Sequence, residues 1–111
     1  MKFSVIWSLD ANDELLEIVA FQREKYGKKK AIEVYDSIHQ KVVVTKSQPE
    51  LGRVVPELAV LGLTTIRELI QNPWRILYSV NGDRIEILSV VDGRRNSEEV
   101  LYRKVLEGKL F

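Results

Sequence analysis

Five arginines in the second half of the chain are the residues best suited to chemistry. Arg67, Arg75 and Arg84 lie in or beside three successive strand-like runs, and Arg94 and Arg95 follow the last of them, in VVDGRRN at 90–96. A guanidinium stays charged and offers a rigid fork of donors that fits phosphate or carboxylate. Several of them converging on one sheet face would make an anion site. The acids Glu68, Asp83, Glu86 and Asp92 are interspersed, so the same face also reads as a solvated surface of weak ion pairs. Other candidates are few. Tyr102 follows the double arginine and serves as a docking residue or a late acid/base. Trp7 and Trp74 occupy core-facing strand positions. His39 follows Tyr35 by four and borders an apolar helical stripe, the place of a structural residue more than of a base. No nucleophile elbow, phosphate loop or metal motif occurs.

Composition narrows the classes further. A chain of 111 residues is the size of one domain, and 45% hydrophobic with 30% charged residues is ordinary for a soluble globular protein. There is no cysteine and a single histidine. That excludes disulfides, thiolate chemistry and cysteine-based zinc sites, and it makes a metal site built on imidazoles improbable. No cofactor or metal is expected. No apolar run approaches the roughly 18 residues of a membrane span, and the opening MKFSVIWSLD has no signal-peptide core. A cytoplasmic protein without membrane contact is the expectation. The net charge of +1 speaks against broad electrostatic capture of nucleic acid. What counts is the local clustering of the basic residues.

The elements that must position the arginines follow from periodicity. FSVIW at 3–7 alternates as a first strand. Ser8 and Asp10 offer N-caps for a helix whose stripe is Leu15, Ile18, Val19 and Phe21, closed by Gly27. A second helix opens on three lysines, 28–30, although cations disfavour a helix N-terminus. They read as a solvated turn. Ala31, Val34, Tyr35, Ile38 and Val42 make its apolar face. The short link predicts an antiparallel helical hairpin. Residues 49–62 read as a loop or irregular crossing segment. LTTIRELI (63–70), WRILYSV (74–80) and RIEILSVV (84–91) then form a three-stranded antiparallel meander. Asn81-Gly82 predicts a two-residue type I′ hairpin loop, with Val80 opposite Asp83, Tyr78 opposite Ile85 and Ile76 opposite Ile87. Trp74, Ile76, Tyr78, Ile85 and Ile87 would face the helices. Arg75, Ser79, Arg84 and Glu86, with Leu77 and Leu88 between them, would line the other face. The tail from 96 to 111 predicts a short helix ending before Gly108, too apolar to be disordered and docked on its own sheet or on another chain. The fold class is α+β, one domain over 1–111 with its core at 3–95.

The order and spacing of these motifs resemble the RelE/ParE toxin superfamily over residues 3–95: WS at 7–8 with Ala11, the helical hairpin, LGRVVPEL at 51–58, IRELI at 66–70, WRILYSV at 74–80 and IEILSVVDGRR at 85–95. The resemblance implies a small toxin of a type II toxin–antitoxin module (the plasmid-stabilisation type), neutralised by a cognate antitoxin and assembled as a homodimer or as a heterotetramer with it. Two mechanisms share that fold. RelE-like members cleave mRNA on the ribosome without a metal; ParE-like members inhibit DNA gyrase. In the first, Arg67, Arg75 and Arg94 would stabilise charge on the phosphorane. Glu68, Asp92 or Tyr102 would have to supply the acid or base. Many relatives carry a histidine where this chain has Asp92, and an ionised aspartate is a poor acid. In the second, the target or antitoxin would be held by Arg67, Arg75, Arg84, Arg94, Arg95 and Trp74, arginine and aromatic anchors being common at interfaces. The absent histidine and the balanced charge favour the gyrase mechanism. A degenerate member that only binds an antitoxin is the third class. The tail beyond Arg95 departs from the family pattern.

Overall fold

A computed structural model describes residues 3–110. The chain opens with strand β1 (Ser4–Trp7), which alternates exposed and half-buried residues as its sequence predicts. Helix α1 (Leu9–Tyr26) starts at Ser8, whose Oγ accepts a hydrogen bond from the Ala11 N–H at 3.0 Å. Asp10 falls in the first turn, where its charge suits the positive end of the helix dipole. Gly27 alone separates α1 from α2 (Lys28–Val43). The hairpin buries Ala11, Leu15 and Gln22 from one helix and Ala31, Val34, Ile38 and Val42 from the other. His39 is half-buried between the rings of Trp7 and Tyr35, with centroids 5.0 and 4.4 Å away.

The segment expected as an irregular crossing contains two short elements, strand β2 (Arg53–Val54) and the single turn α3 (Pro56–Ala59). Strands β3 (Ile66–Gln71), β4 (Trp74–Asn81) and β5 (Arg84–Asp92) form the meander. The meander is part of a larger sheet of order β1-β5-β4-β3-β2. β1 lies parallel to β5, with Ser4 level with Arg84 and Trp7 with Ile87. The chain reaches β5 from β1 by way of α1 and α2 and then β2, α3, β3 and β4, so the parallel pair sets the first strand beside the last.

The hairpin register differs from the expected one. Asn81 pairs with Arg84, Val80 with Ile85 and Tyr78 with Ile87, so Gly82 and Asp83 are the loop. No non-glycine residue among those described has positive φ, whereas Gly82 has φ of 62°. A type I′ turn needs positive φ twice; placing the one glycine first gives the type II′ pattern. Asn81 stays in the strand and its amide bonds the Glu86 carboxylate. The displacement is two residues, so each side chain keeps its face. A bulge between Leu77 and Tyr78 then sets Ile76 opposite Val90.

Helices α1 and α2 cover one face of the sheet. Their core contains Leu15, Ile38, Trp74, Ile76, Tyr78, Ile85, Ile87 and Val90. The other face was expected to be largely polar. It carries a second apolar cluster of Val55, Leu58, Ile66, Leu77, Leu88, Val91, Leu101 and Leu110. The tail supplies two of these residues: α4 (Ser97–Leu106), capped by Asn96, folds back onto its own sheet. The reason is the pleat. Leu77, Leu88 and Val91 point away from the hairpin and need an apolar cover.

Candidate functional site

β5 ends at Asp92, opposite Trp74, the first residue of β4. Gly93 comes next, and its N–H donates to the Pro73 carbonyl at 2.8 Å. A Cβ at position 93 would lie 2.8 Å from that same oxygen, so only glycine lets the strand end press against the β3–β4 turn. The chain then turns outward and presents Arg94 and Arg95, both exposed. Asp92 shapes the turn. Its Oδ1 accepts from the Arg94 backbone N–H at 2.9 Å, and its two oxygens accept from Arg94 Nε at 3.1 Å and Nη2 at 2.9 Å. Hydrogen bonding to Arg94 holds the Asp92 carboxyl below its ordinary range, and the same bond holds the Arg94 guanidinium above its own.

Beside this turn is an open cleft of about 470 Å3. Glu14, Glu17, Ile18, Phe21 and Gln22 of α1 form one wall. Trp74, Val90, Val91 and Asp92 form the floor, and Arg94, Arg95 and Val100 close the rim. Glu14 is the anchor of this arrangement. Its Oε1 accepts from Ser89 Oγ at 2.8 Å and from the Val90 N–H at 3.2 Å. Its Oε2 meets Lys104 Nζ at 2.7 Å. The pair ties α4 across the end of the sheet to α1. Neither residue is singled out by the sequence reading. The available signal was a charge at position 14 within the inward stripe of Ala11, Leu15, Ile18 and Gln22.

The other arginines are elsewhere. Arg75 lies almost buried on the opposite face, its guanidinium bonded by four contacts. Nε and Nη2 reach Glu68 at 2.6 and 3.1 Å; Nη1 and Nη2 reach Glu57 at 2.6 and 2.7 Å. Glu68 also accepts from Arg53 Nε at 2.8 Å. The bond to Arg75 pulls the Glu57 carboxyl down, and Glu57 raises the Arg75 guanidinium further above its usual value. Arg67 donates to the Gly52 carbonyl at 2.8 Å and lines a second cavity with Pro49, Thr64 and Thr65. Tyr78 closes that region: its hydroxyl donates to the Pro49 carbonyl and accepts from the Gly52 N–H, both at 2.8 Å. Burial pushes its phenol up. Arg84 is exposed beside the β4–β5 loop, and Tyr102 is half-buried on α4. The sequence-derived set therefore divides. Trp74, Asp92, Arg94 and Arg95 share one cleft, whereas Arg67, Arg75, Arg84 and Tyr102 do not line it. No group of three metal-ligating side chains occurs among the described residues, and no helix there is long and apolar enough to cross a membrane.

The architecture is thus a five-stranded sheet backed by a helical hairpin, with a Gly-Arg-Arg turn at the end of its last long strand. The family model for the ParE toxin of the type II toxin–antitoxin system parDE matches residues 5–97. The chain belongs to that family. Among solved structures it is similar to the chromosomal ParDE toxin–antitoxin system from P. aeruginosa, with a TM-score of 0.69 and 21% identity over 82% of this chain and 96% of that one. It is also similar to the RelBE2 toxin–antitoxin complex from Mycobacterium tuberculosis, with a TM-score of 0.59 and 13% identity over 83% of this chain and 99% of that one. Both likenesses concern the fold. No curated protein matches the chain.

Proposed function

We propose that this chain is the toxin of a type II toxin–antitoxin module and that it arrests growth in the cytoplasm by inhibiting DNA gyrase. The cleft around Trp74, Arg94 and Arg95 is the surface that meets the target and that a cognate antitoxin blocks. One observation carries the choice of mechanism: Asp92, at the position of the family histidine, is held ionised by Arg94. A metal-free ribonuclease needs a group able to give a proton to the leaving oxygen. Glu68, another candidate for that role, is buried between Arg53 and Arg75. An inhibitor that acts by binding needs no such group, only exposed anchors beside an apolar floor.

The test is a pair of assays on the purified chain. Gyrase is offered relaxed plasmid and ATP, and the reading expects loss of supercoiling. A translation reaction is probed by primer extension for cut message, and the reading expects intact mRNA. Cleavage at A-site codons with unaffected gyrase would overturn it. A folded chain inert in both assays and harmless to growth would leave only antitoxin binding as its role.

A further inference from the structure

The lysines that open α2 belong to a larger basic surface. Residues 23–30, REKYGKKK, hold five cations against one acid, while the rest of the chain holds twelve cations against fifteen acids. The modest net charge thus conceals a segregated one. Every residue of this tip is exposed. Arg23 and Lys25 suit the C-terminal end of α1, where the helix dipole favours cations. Lys28, Lys29 and Lys30 do not suit the place they hold. They form the first turn of α2, at the positive end of its dipole, with no acid in that turn and no side-chain cap. Local helix stability alone would select other residues there.

The tip also adjoins the Gly-Arg-Arg turn. Phe21 lines the same cleft as Arg94 and Arg95, and Tyr26 ends the same helix little more than one turn further on. Phe21 and Tyr26 are exposed, and Lys25 Nζ lies 5.6 and 5.5 Å from their ring centroids. The result is an exposed basic surface with interleaved aromatics, running from the hairpin tip to the Arg94–Arg95 rim of the cleft. It lacks the enclosed pocket that a single small anion would need. Phosphates repeated along a backbone match it in charge.

We propose that the hairpin tip and the Arg94–Arg95 turn together form a binding surface for the phosphate backbone of duplex DNA. Backbone binding rests on the charge distribution. The choice of DNA rests on the gyrase reading, since gyrase presents a duplex to whatever docks beside it. The contacts fix position and carry no sequence preference.

Fluorescence anisotropy of the full chain with a labelled duplex of about 20 base pairs, titrated at increasing salt, tests this. The parent chain is expected to bind at low salt and to weaken steeply as salt rises. The variant Lys28→Gln/Lys29→Gln/Lys30→Gln is expected to lose at least about tenfold in affinity, with a log–log salt slope shallower by about 2–3 units. Its Tm should equal or exceed the parent's, which separates lost binding from lost fold. No binding by the parent at the lowest salt, or unchanged affinity and slope in the variant, would overturn the surface. An RNA hairpin of equal length bound tenfold more tightly than the duplex would overturn the assignment to DNA. Gyrase is absent from the assay, so failure of this surface is distinguishable from failure of the gyrase mechanism.

Discussion

Arg75, on β4, and Arg94, just past the end of the neighbouring β5, are the same residue type, and they do opposite things. Arg75 sits inside the molecule, gripped by Glu57 and Glu68, with four hydrogen bonds committed to their carboxylates. Arg94 stands at a strand end, 67% exposed, with one carboxylate beside it. The first links α3 to β3 and β4; the second, with Arg95, faces outward. Chemistry that needs an arginine depends less on the side chain than on whether the backbone delivers it inward among several partners or outward beside one.

That contrast can be broken from its strong end first. Arg75→Ala leaves Glu68 buried with only the peripheral Arg53 for company, and removing one partner of a buried pair costs about 3–5 kcal/mol. Urea denaturation should show a loss of that size; a loss below about 1 kcal/mol would mean the cluster is not the clamp its geometry implies. Gly93→Ala comes next. Its Cβ meets the Pro73 carbonyl, and relieving the overlap should cost about 1–3 kcal/mol and disturb the Arg94–Arg95 turn, so stability and growth arrest should fall together. Unchanged melting would show that the turn can yield.

Glu57→Gln should cost about 1–3 kcal/mol at neutral pH, the value of charge-assisted hydrogen bonds. It also carries a pH signature. Arg75 lowers the Glu57 carboxyl, so its contribution is complete above the unfolded carboxylate value and is lost as pH falls through the lower folded value. Stability of the parent should therefore decline with acid in that window, and the variant should decline less. Parallel curves would deny the coupling. The smallest stability effect belongs to Arg94→Ala/Arg95→Ala, within about 0.5 kcal/mol because both side chains are exposed. Growth arrest should nonetheless disappear, with the circular dichroism spectrum unchanged. Full toxicity in that variant would detach the cleft from function.

The second sheet face repeats the lesson. Leu77, Leu88, Leu101 and Leu110 are unremarkable as letters, yet they assemble into a core that the polar residues around Leu77 and Leu88 concealed. Periodicity identified much of the inward stripe of each helix because 3.6-residue spacing is a local property, but Phe21 and Tyr35, read into those stripes, are exposed. It could not pair Glu57 with Arg75 or Glu14 with Lys104, whose contacts cross the chain.

Local rules in the sequence sufficed for the helical hairpin, for the presence though not the register of the β4–β5 hairpin, for the Ser8 cap, the stop at Gly27, the helix in the tail and the face that each residue of β4 and β5 occupies. Each depends on interactions a few residues long. The tertiary structure alone decided that β1 lies parallel to β5 and that Arg75 is enclosed while Arg94 is exposed. Those outcomes follow from which carboxylate, carbonyl or apolar surface arrives from a distant segment, and the local pattern contains no term for that arrival.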